Sequence, residues 1–311
     1  MKVLVTGGAG YIGRITAALL KAAGHQAIIY DLKQGQDIKN IPLLKKTIKA
    51  EKISAVMHFA AFIEMGESMT NPKKYFDNNF LGSQSLIEAT MAAGVNQLIF
   101  SSTAGVYGNP IRVPIKETDR KLPENPYGQS KLLTEEMLKF YGRTSHLRSI
   151  SLRYFNAAGA SLDGLMGEAH QPESHLIPNV IKAVLQNKAF TLHGNDYPTP
   201  DGTCIRDYIH VVDLSKAHIL ALEALASGHQ SEVYNVGTGQ GYSNLEVIKM
   251  IEKVSRKPVK LTIGPRRAGD ANELVADPAK IKADLGWKPQ YSDLKTIVST
   301  AWNWHKNQAT I

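Results

Sequence analysis

Apolar and polar positions along the first half of the chain fall into blocks that read as strand, helix, strand, helix. Lys2-Val3-Leu4-Val5-Thr6 is an apolar, β-branched run that predicts a buried strand. Gly7-Gly8-Ala9-Gly10-Tyr11-Ile12-Gly13 follows without a spacer, and Ile15, Ala18, Leu19 and Ala22 then recur at helical spacing as far as Gly24. Ala27-Ile28-Ile29-Tyr30 predicts a second strand. Residues 38–52 predict a helix with Ile41, Leu44 and Ile48 on one face, and 53–61 a buried strand. A helix is expected over 71–94, a strand at Gln97-Leu98-Ile99-Phe100 running into Ser101-Ser102-Thr103, a helix over 127–141 and a strand over 149–154. Strands alternating with helices imply a parallel sheet with right-handed crossovers.

The pattern changes beyond Asn156. Residues 159–175 read as loop, 176–187 as helix and 195–202 as turn chemistry. A short strand is expected within 207–213, a helix over 214–226, and a buried strand at 233–237 that returns to the first sheet. Two more helices, 245–254 and 294–306, flank a Pro- and Gly-punctuated segment. The expected fold is α/β: a Rossmann-like doubly wound parallel sheet in residues 1–156, with a return segment near 205–237. Residues 157–311 form a smaller lobe over the strand ends, where open α/β sheets bind ligands.

The glycine stretch adds chemistry. A G-x-G-x-x-G between a strand and a helix is the context of a dinucleotide fingerprint. Gly8 is expected to allow the sharp turn, Gly10 the approach of a pyrophosphate, and Gly13 close packing of helix on strand. Asp31 ends the second strand, where a carboxylate accepts hydrogen bonds from ribose hydroxyls and repels a 2′-phosphate, favouring NAD over NADP; Lys33 is a small counter-argument. Thr103 closes a strand, and Tyr127 and Lys131 stand four apart on a helix and so share a face. An ammonium beside a phenol lowers its pKa toward that of a general base, and a nearby hydroxyl can hold a substrate oxygen. A second Tyr/Lys pair, Tyr291 and Lys295, lacks that context and reads as surface helix.

Composition narrows the class. With 311 residues, 43% apolar and 21% charged, the chain can bury one large core or two. No stretch approaches a membrane span, the first strand starts at Lys2, and a cytoplasmic protein is expected. Cys204 stands alone, which excludes an intrachain disulfide framework. The net charge of +8 is spread over helix lysines such as Lys45, Lys49, Lys249 and Lys253, so anionic small molecules are expected and nucleic acid is not. His25, His146, His218 and His305 show no metal spacing, His58 reads as a core histidine, and no metal is expected.

Taken together, the blocks Val3 to Gly13, His58-Phe59-Ala60, Asp77-Asn78-Asn79, Ser101-Ser102-Thr103, Tyr127 with Lys131, and Arg153-Tyr154-Phe155-Asn156 resemble the extended short-chain dehydrogenase/reductases. Gly194-Asn195-Asp196-Tyr197-Pro198-Thr199, Arg206-Asp207-Tyr208-Ile209-His210-Val211 and Arg266-Arg267-Ala268-Gly269-Asp270 narrow the likeness to members that act on nucleotide sugars. The resemblance implies NAD contacts at Gly7, Gly10, Tyr11, Ile12, Gly13, Asp31, Asp37, Ile38, Phe59, Ala60, Asn78, Ser101, Tyr127, Lys131 and Tyr154. It places Thr103, Tyr127 and Asn156 at the sugar, and His175, Leu176, His193, Arg206, Arg267 and Asp270 around a uridine diphosphate. Two arginines suit a diphosphate in forked geometry.

The activity so implied is reversible 4-epimerisation of UDP-galactose and UDP-glucose through a 4-keto sugar, with Thr103, Tyr127 and Lys131 catalytic. Alternatives are another nucleotide-sugar epimerase, a 4,6-dehydratase (against which Ala104-Gly105 speaks, since an acidic pair is expected there), or an NAD-binding sensor without turnover. A homodimer through 71–94 and 127–141 is also implied. Departures from the pattern are expected to matter. The segment 32–36 is too short for a helix and a strand, so an edge strand should be missing. Ile63 replaces a lysine, and both changes bear on NAD affinity. Leu274 leaves acceptance of N-acetylhexosamines open.

Overall fold

The strand-helix alternation read from the sequence closes into one sheet. In chain order the elements are β1 (Lys2–Thr6), α1 (Tyr11–Ala22), β2 (Gln26–Tyr30), α2 (Ile41–Ala50), β3 (Ala55–His58), α3 (Met65–Thr70), α4 (Pro72–Tyr75), α5 (Gly82–Ala92), β4 (Gln97–Thr103), α6 (Pro126–Thr144) and β5 (Arg148–Tyr154). There follow β6 (Asn156–Ala158), α7 (Leu176–Leu185), β7 (Phe190–His193), β8 (Ile205–His210), α8 (Val211–Ala226), β9 (Glu232–Val236), β10 (Gly241–Ser243), α9 (Asn244–Ser255), β11 (Leu261–Gly264), β12 (Glu273–Leu274), α10 (Ala279–Leu285) and α11 (Leu294–Gln308). The computed structural model describes residues 1–267 and 269–309. Ala268, within the Arg266 to Asp270 motif, lies outside the described residues.

The main sheet runs β2-β1-β3-β4-β5-β9, and every pairing is parallel. Alternate side chains of a strand face opposite sides. Val3 and Val5 therefore join Met57, Ile99 and Leu152 in a core against α8. Leu4, Val56, Leu98 and Phe100 point the other way, onto Leu44, Ile48, Leu86, Ile87 and Leu138 of the opposite helices. Both faces are covered, which is why these strands read as continuous apolar runs. The strand at 233–237 does return, as β9 on the outer side of β5.

The missing edge strand is confirmed: β2 is the last strand on its side. Between it and α2 the chain makes one 3₁₀ turn, Leu32–Gln34, capped by Asp31 and closed by Gly35 in the left-handed region (φ 74°). The Tyr30 hydroxyl then donates to the Asp37 carbonyl at 3.0 Å and pins the return.

Several boundaries differ from expectation. The helix expected from residue 38 begins at Ile41, because Asn40 Oδ1 caps Leu43 N and Pro42 sits in the first turn; Asp37 and Ile38 stay outside it. The helix expected over 71–94 is broken into α4, a π-helical stretch Phe76–Leu81, and α5. There Asn79 turns inward, accepting from Phe62 N and donating to Phe62 O and Ser130 Oγ. Such π segments often mark functional sites. The second sheet, β10-β8-β12 with β6 also on β8, and the β7-β11 pair went largely unpredicted. Tyr291 and Lys295 do not share a helix: Tyr291 precedes α11, and its N–H bonds Asp213.

Candidate active site

The glycine turn after β1 is built to leave room for an anion. The left-handed residue is Gly7 (φ 70°), not Gly8 as the sequence suggested. Gly8 is glycine because a Cβ there would lie 2.8 Å from Val5 O and 2.7 Å from Ile29 Cδ1. A Cβ on Gly13 would lie 2.3 Å from Gly7 O, so that glycine does bring helix and turn into contact. At Gly10 a Cβ meets only Gly7 O, at 3.1 Å, which leaves the ligand side open. Helix α1 starts at Gly10 with no side-chain cap and no acid in its first turn. Its leading N–H groups and positive dipole end are therefore left to a phosphate. Asp31 is buried at the end of β2; its Oδ2 accepts from Ala9 N and its Oδ1 from Lys33 N, both at 2.9 Å. Each oxygen keeps a lone pair for a ribose hydroxyl. These residues fit a dinucleotide.

At the end of β4, Thr103 caps the 3₁₀ turn Ala104–Tyr107, its Oγ1 accepting from Gly105 N at 3.0 Å. Helix α6 opens against that turn. Asn125 Oδ1 caps Gly128 N at 2.9 Å, and a Cβ on Gly128 would strike Gly105 O at 2.7 Å. This close approach sets Tyr127, 7% exposed, near Thr103, whose hydroxyl acts on the phenol. One turn on, Lys131 is 3% exposed and donates to Ser101 O at 2.8 Å. Burial acts on both groups. It pushes the phenol of Tyr127 up, with Tyr154 adding and the Thr103 hydroxyl opposing, and pulls Lys131 down to about 7 against the pull of Glu135. Depression of the tyrosine by Lys131 is expected from spacing alone, but Lys131 is not among the main influences on the phenol, and burial raises it instead.

Around this pair, Ser101 Oγ and the Tyr154 hydroxyl bond each other at 2.6 Å. Phe59 stacks near His218 (4.7 Å between centroids), which also neighbours Tyr154 at 6.2 Å. Ala60 N would touch a Cβ on Gly7. Asn78 Nδ2 donates to Asn79 Oδ1 at 3.0 Å. Asn156 on β6 donates to Asp207 O at 3.1 Å.

The second lobe gathers charge. Arg206 Nη1 donates to the carbonyls of Ile205 and Ala271, and its Nη2 lies 3.9 Å from Asp270 Oδ1. Arg267 Nε bonds Asp270 Oδ2 at 3.0 Å. Both guanidiniums thus converge on one carboxylate. His193 ends β7 and bonds Pro265 O at 3.2 Å, next to the Arg266–Arg267 segment. Leu274 pairs in register with Arg206. His175 and Leu176 start α7, which has no side-chain cap. His175 does not join Arg206 and Arg267: its Nδ1 meets Glu168 Oε1 at 2.5 Å.

Supporting residues escaped the sequence reading. Asp207 is fully buried and accepts from Thr238 N, Thr238 Oγ1, Gly239 N and Ala276 N. Asp213 Oδ2 accepts from Gln290 N, Tyr291 N and Ser292 Oγ. Both fasten distant loops onto β8 and α8. Aspartates flanking a buried strand were the available signal.

Comparison with known proteins places this geometry. The model of the NAD dependent epimerase/dehydratase family matches residues 3–237. A UDP-glucose 4-epimerase of Lacticaseibacillus casei is 45% identical over 323 aligned positions, covering 99% of this chain and 97% of its own. The crystal structure of UDP-glucose 4-epimerase from Brucella ovis in complex with NAD superposes with a TM-score of 0.94 at 43% identity, over 97% of each chain. That of a UDP-glucose-4-epimerase from Stenotrophomonas maltophila, with bound NAD and formylated UDP-arabinopyranose, gives 0.95 at 38% identity, over 100% of this chain and 99% of that one.

Proposed function

The chain belongs to the NAD dependent epimerase/dehydratase family, and from that premise we propose that it interconverts UDP-galactose and UDP-glucose by inverting C4. One observation carries the reading. Tyr127 and Lys131 are buried on one face of α6 against the end of β4, where Thr103 sits close enough to the phenol to oppose the rise of its pKa. The relatives named above, UDP-glucose 4-epimerases along nearly their whole length, support it.

Tyr127, as phenolate, takes the proton of the sugar 4-hydroxyl, and Thr103 Oγ1 holds that oxygen during transfer. Lys131, fixed by Ser101 O, stabilises the phenolate before it is protonated and would hold the cofactor ribose. When bound, NAD would supply a cationic ring able to take up and give back the C4 hydrogen as hydride. Arg206 and Arg267 hold the diphosphate while Asp270 turns to the uridine ribose, so the sugar can swing without leaving. Tyr127 returns its proton, and no net oxidation results. Gly7, Gly10, Tyr11, Ile12 and Gly13 receive the pyrophosphate, and Asp31, Asp37, Ile38 and Asn78 line the adenosine and ribose side. Phe59, Ala60, Ser101 and Tyr154 line the nicotinamide side. Asn156 meets the sugar, and Leu176 and His193 the uridine diphosphate, whereas His175 is engaged with Glu168 and Glu173.

In domain terms, residues 1–156 with the return near 205–237 hold NAD, and 157–311 hold the sugar nucleotide. The chain works in the cytoplasm as a homodimer through the helices at 71–94 and 127–141. Met69, Leu81 and Phe140 on that side are 61%, 47% and 59% exposed. Among the described residues no helix is long and apolar enough to cross a membrane.

The deciding experiment incubates the protein with UDP-galactose and NAD and follows UDP-glucose by NMR. Conversion that vanishes in Tyr127→Phe supports the assignment. An inert wild-type protein that binds both ligands sinks it.

A further inference from the structure

We propose that Glu168, His170, Glu173 and His175 form a binding site for one divalent cation of borderline softness, with zinc as the best fit. The four residues follow one another at short intervals in the segment between β6 and α7, where Glu168 is buried, His170 and Glu173 are half-buried and His175 lies at the surface side of the cluster. One ligand atom from each lies within 4.8 Å of the other three.

The distances suit a single ion. Zinc bonded to four N and O donors at about 2.0–2.1 Å sets neighbouring donors about 3.4 Å apart. Here His175 Nδ1 lies 2.5 Å from Glu168 Oε1 and 3.6 Å from Glu173 Oε1. His170 Nδ1 lies 2.9 Å and 4.0 Å from the same two oxygens; the two contacts to Glu168 are hydrogen bonds that an ion would replace, opening each by about half an ångström or more, while the two to Glu173 lie near the required edge. The ring geometry is an independent check. Two imidazoles on one tetrahedral ion place their centroids about 5 Å apart, and those of His170 and His175 are 5.7 Å apart at 58°.

The donor set selects the ion. Two imidazole nitrogens disfavour magnesium and calcium, and two carboxylates disfavour the softest ions, which leaves zinc and its divalent neighbours. Four protein donors close the coordination sphere, the mark of a structural site rather than a catalytic one. Two largely buried carboxylates facing each other also need positive charge; Glu168 is 4% exposed, and Lys182, 3.2 Å from Glu173 Oε2, adds a cation beside the imidazoles.

The position says what such an ion fastens. The segment is already tied to α1, through His170 edge-on to Tyr11 at 6.3 Å and through Arg14 donating to Gly167 O. It is tied to α11 by Trp304 Nε1 donating to Glu168 O at 3.1 Å. His175 is at the same time the residue that opens α7. A cation therefore locks the start of α7 to the helix that follows the glycine turn, and the His175 N–H is already bonded to Glu173 Oε1, inside the same cluster.

The test uses the full-length protein, stripped with chelator and titrated with Zn²⁺ alone by calorimetry and by thermal melting. Expected are one Zn²⁺ per chain, a higher melting temperature, and the visible absorption of a four-coordinate ion when Co²⁺ is used instead. His170→Asn, at a half-buried position, should weaken Zn²⁺ binding about tenfold or more, whereas His146→Asn should leave it unchanged. Failure of the wild-type protein to take up a stoichiometric ion overturns the proposal, as does equal binding by wild type and His170→Asn.

Discussion

Glu135 and Arg153 form an ion pair in which both side chains are 4% exposed. Arg153 Nε reaches Glu135 Oε1 at 2.9 Å and its Nη2 reaches Oε2 at 2.5 Å, while Nη1 bonds the Tyr107 hydroxyl. Glu135 stands one turn beyond Lys131 on α6, so the pair fixes the catalytic helix to β5. Removing one partner strands a buried charge. Glu135→Ala should cost about 3–5 kcal/mol of unfolding free energy, whereas a Glu135→Leu, Arg153→Met double variant should cost much less. Urea unfolding of the three proteins checks this, and a double variant as unstable as the single one would show that the pair matters through packing.

Tyr127→Phe should lower kcat by about 10²–10⁴ and leave KM and melting temperature near wild type. The sign of the pH effect follows from burial, which holds the phenol above its usual range and brings Lys131 down to about 7. In Lys131→Met the phenol loses its neighbouring ammonium and ionises later. The rising limb of log kcat against pH should move to higher pH, and an unmoved limb would show that Lys131 does not tune Tyr127.

The two glycines of the fingerprint should fail in different ways. A Cβ at residue 13 overlaps Gly7 O at 2.3 Å, and Gly13→Ala should lose about 1–3 kcal/mol of stability. At residue 10 the nearest atom, Gly7 O, is 3.1 Å away, a tighter contact than usual but short of an overlap, so Gly10→Ala should lose less stability than Gly13→Ala. The methyl at residue 10 points where a pyrophosphate belongs, and the Kd for NAD should rise roughly tenfold or more, about 1.4 kcal/mol. Melting curves paired with NAD titrations separate the two outcomes.

His58 predicts an acid limb of stability. Its Nδ1 pairs with Thr6 Oγ1 and its Nε2 with Ser83 Oγ, both at 2.8 Å. Burial, with a smaller push from Lys131, lowers it from 6.5 to about 3. Between those values the unfolded chain binds a proton that the folded chain refuses, so this contribution is complete above about pH 6.5 and lost as pH falls toward 3. His210 and His218, each lowered to about 4 by burial, act in the same sense. Stability by urea unfolding should drop from pH 7 to pH 4.5, and less steeply in His58→Gln.

By itself the sequence determined the features that depend on near neighbours. Apolar periodicity located the six strands of the main sheet, because burial on both faces leaves continuous runs such as Val3-Leu4-Val5. The four-residue step placed Tyr127 and Lys131 on one face, and the brevity of residues 32–36 announced the lost edge strand. What the chain does at a distance was decided only in three dimensions. The left-handed residue is Gly7, crowded by Ala60 from beyond β3, while Gly8 is held to glycine by Val5 O and Ile29. Strands as short as β6, β10 and β12 carry too little pattern to be seen and exist because β8 pairs with them. The meeting of Arg206 and Arg267 on Asp270, the buried Glu135–Arg153 pair and the convergence of Glu168, His170, Glu173 and His175 all depend on where the backbone brings charges together. No local spacing encodes that, because Coulomb and hydrogen-bond energies act through space and not along the chain.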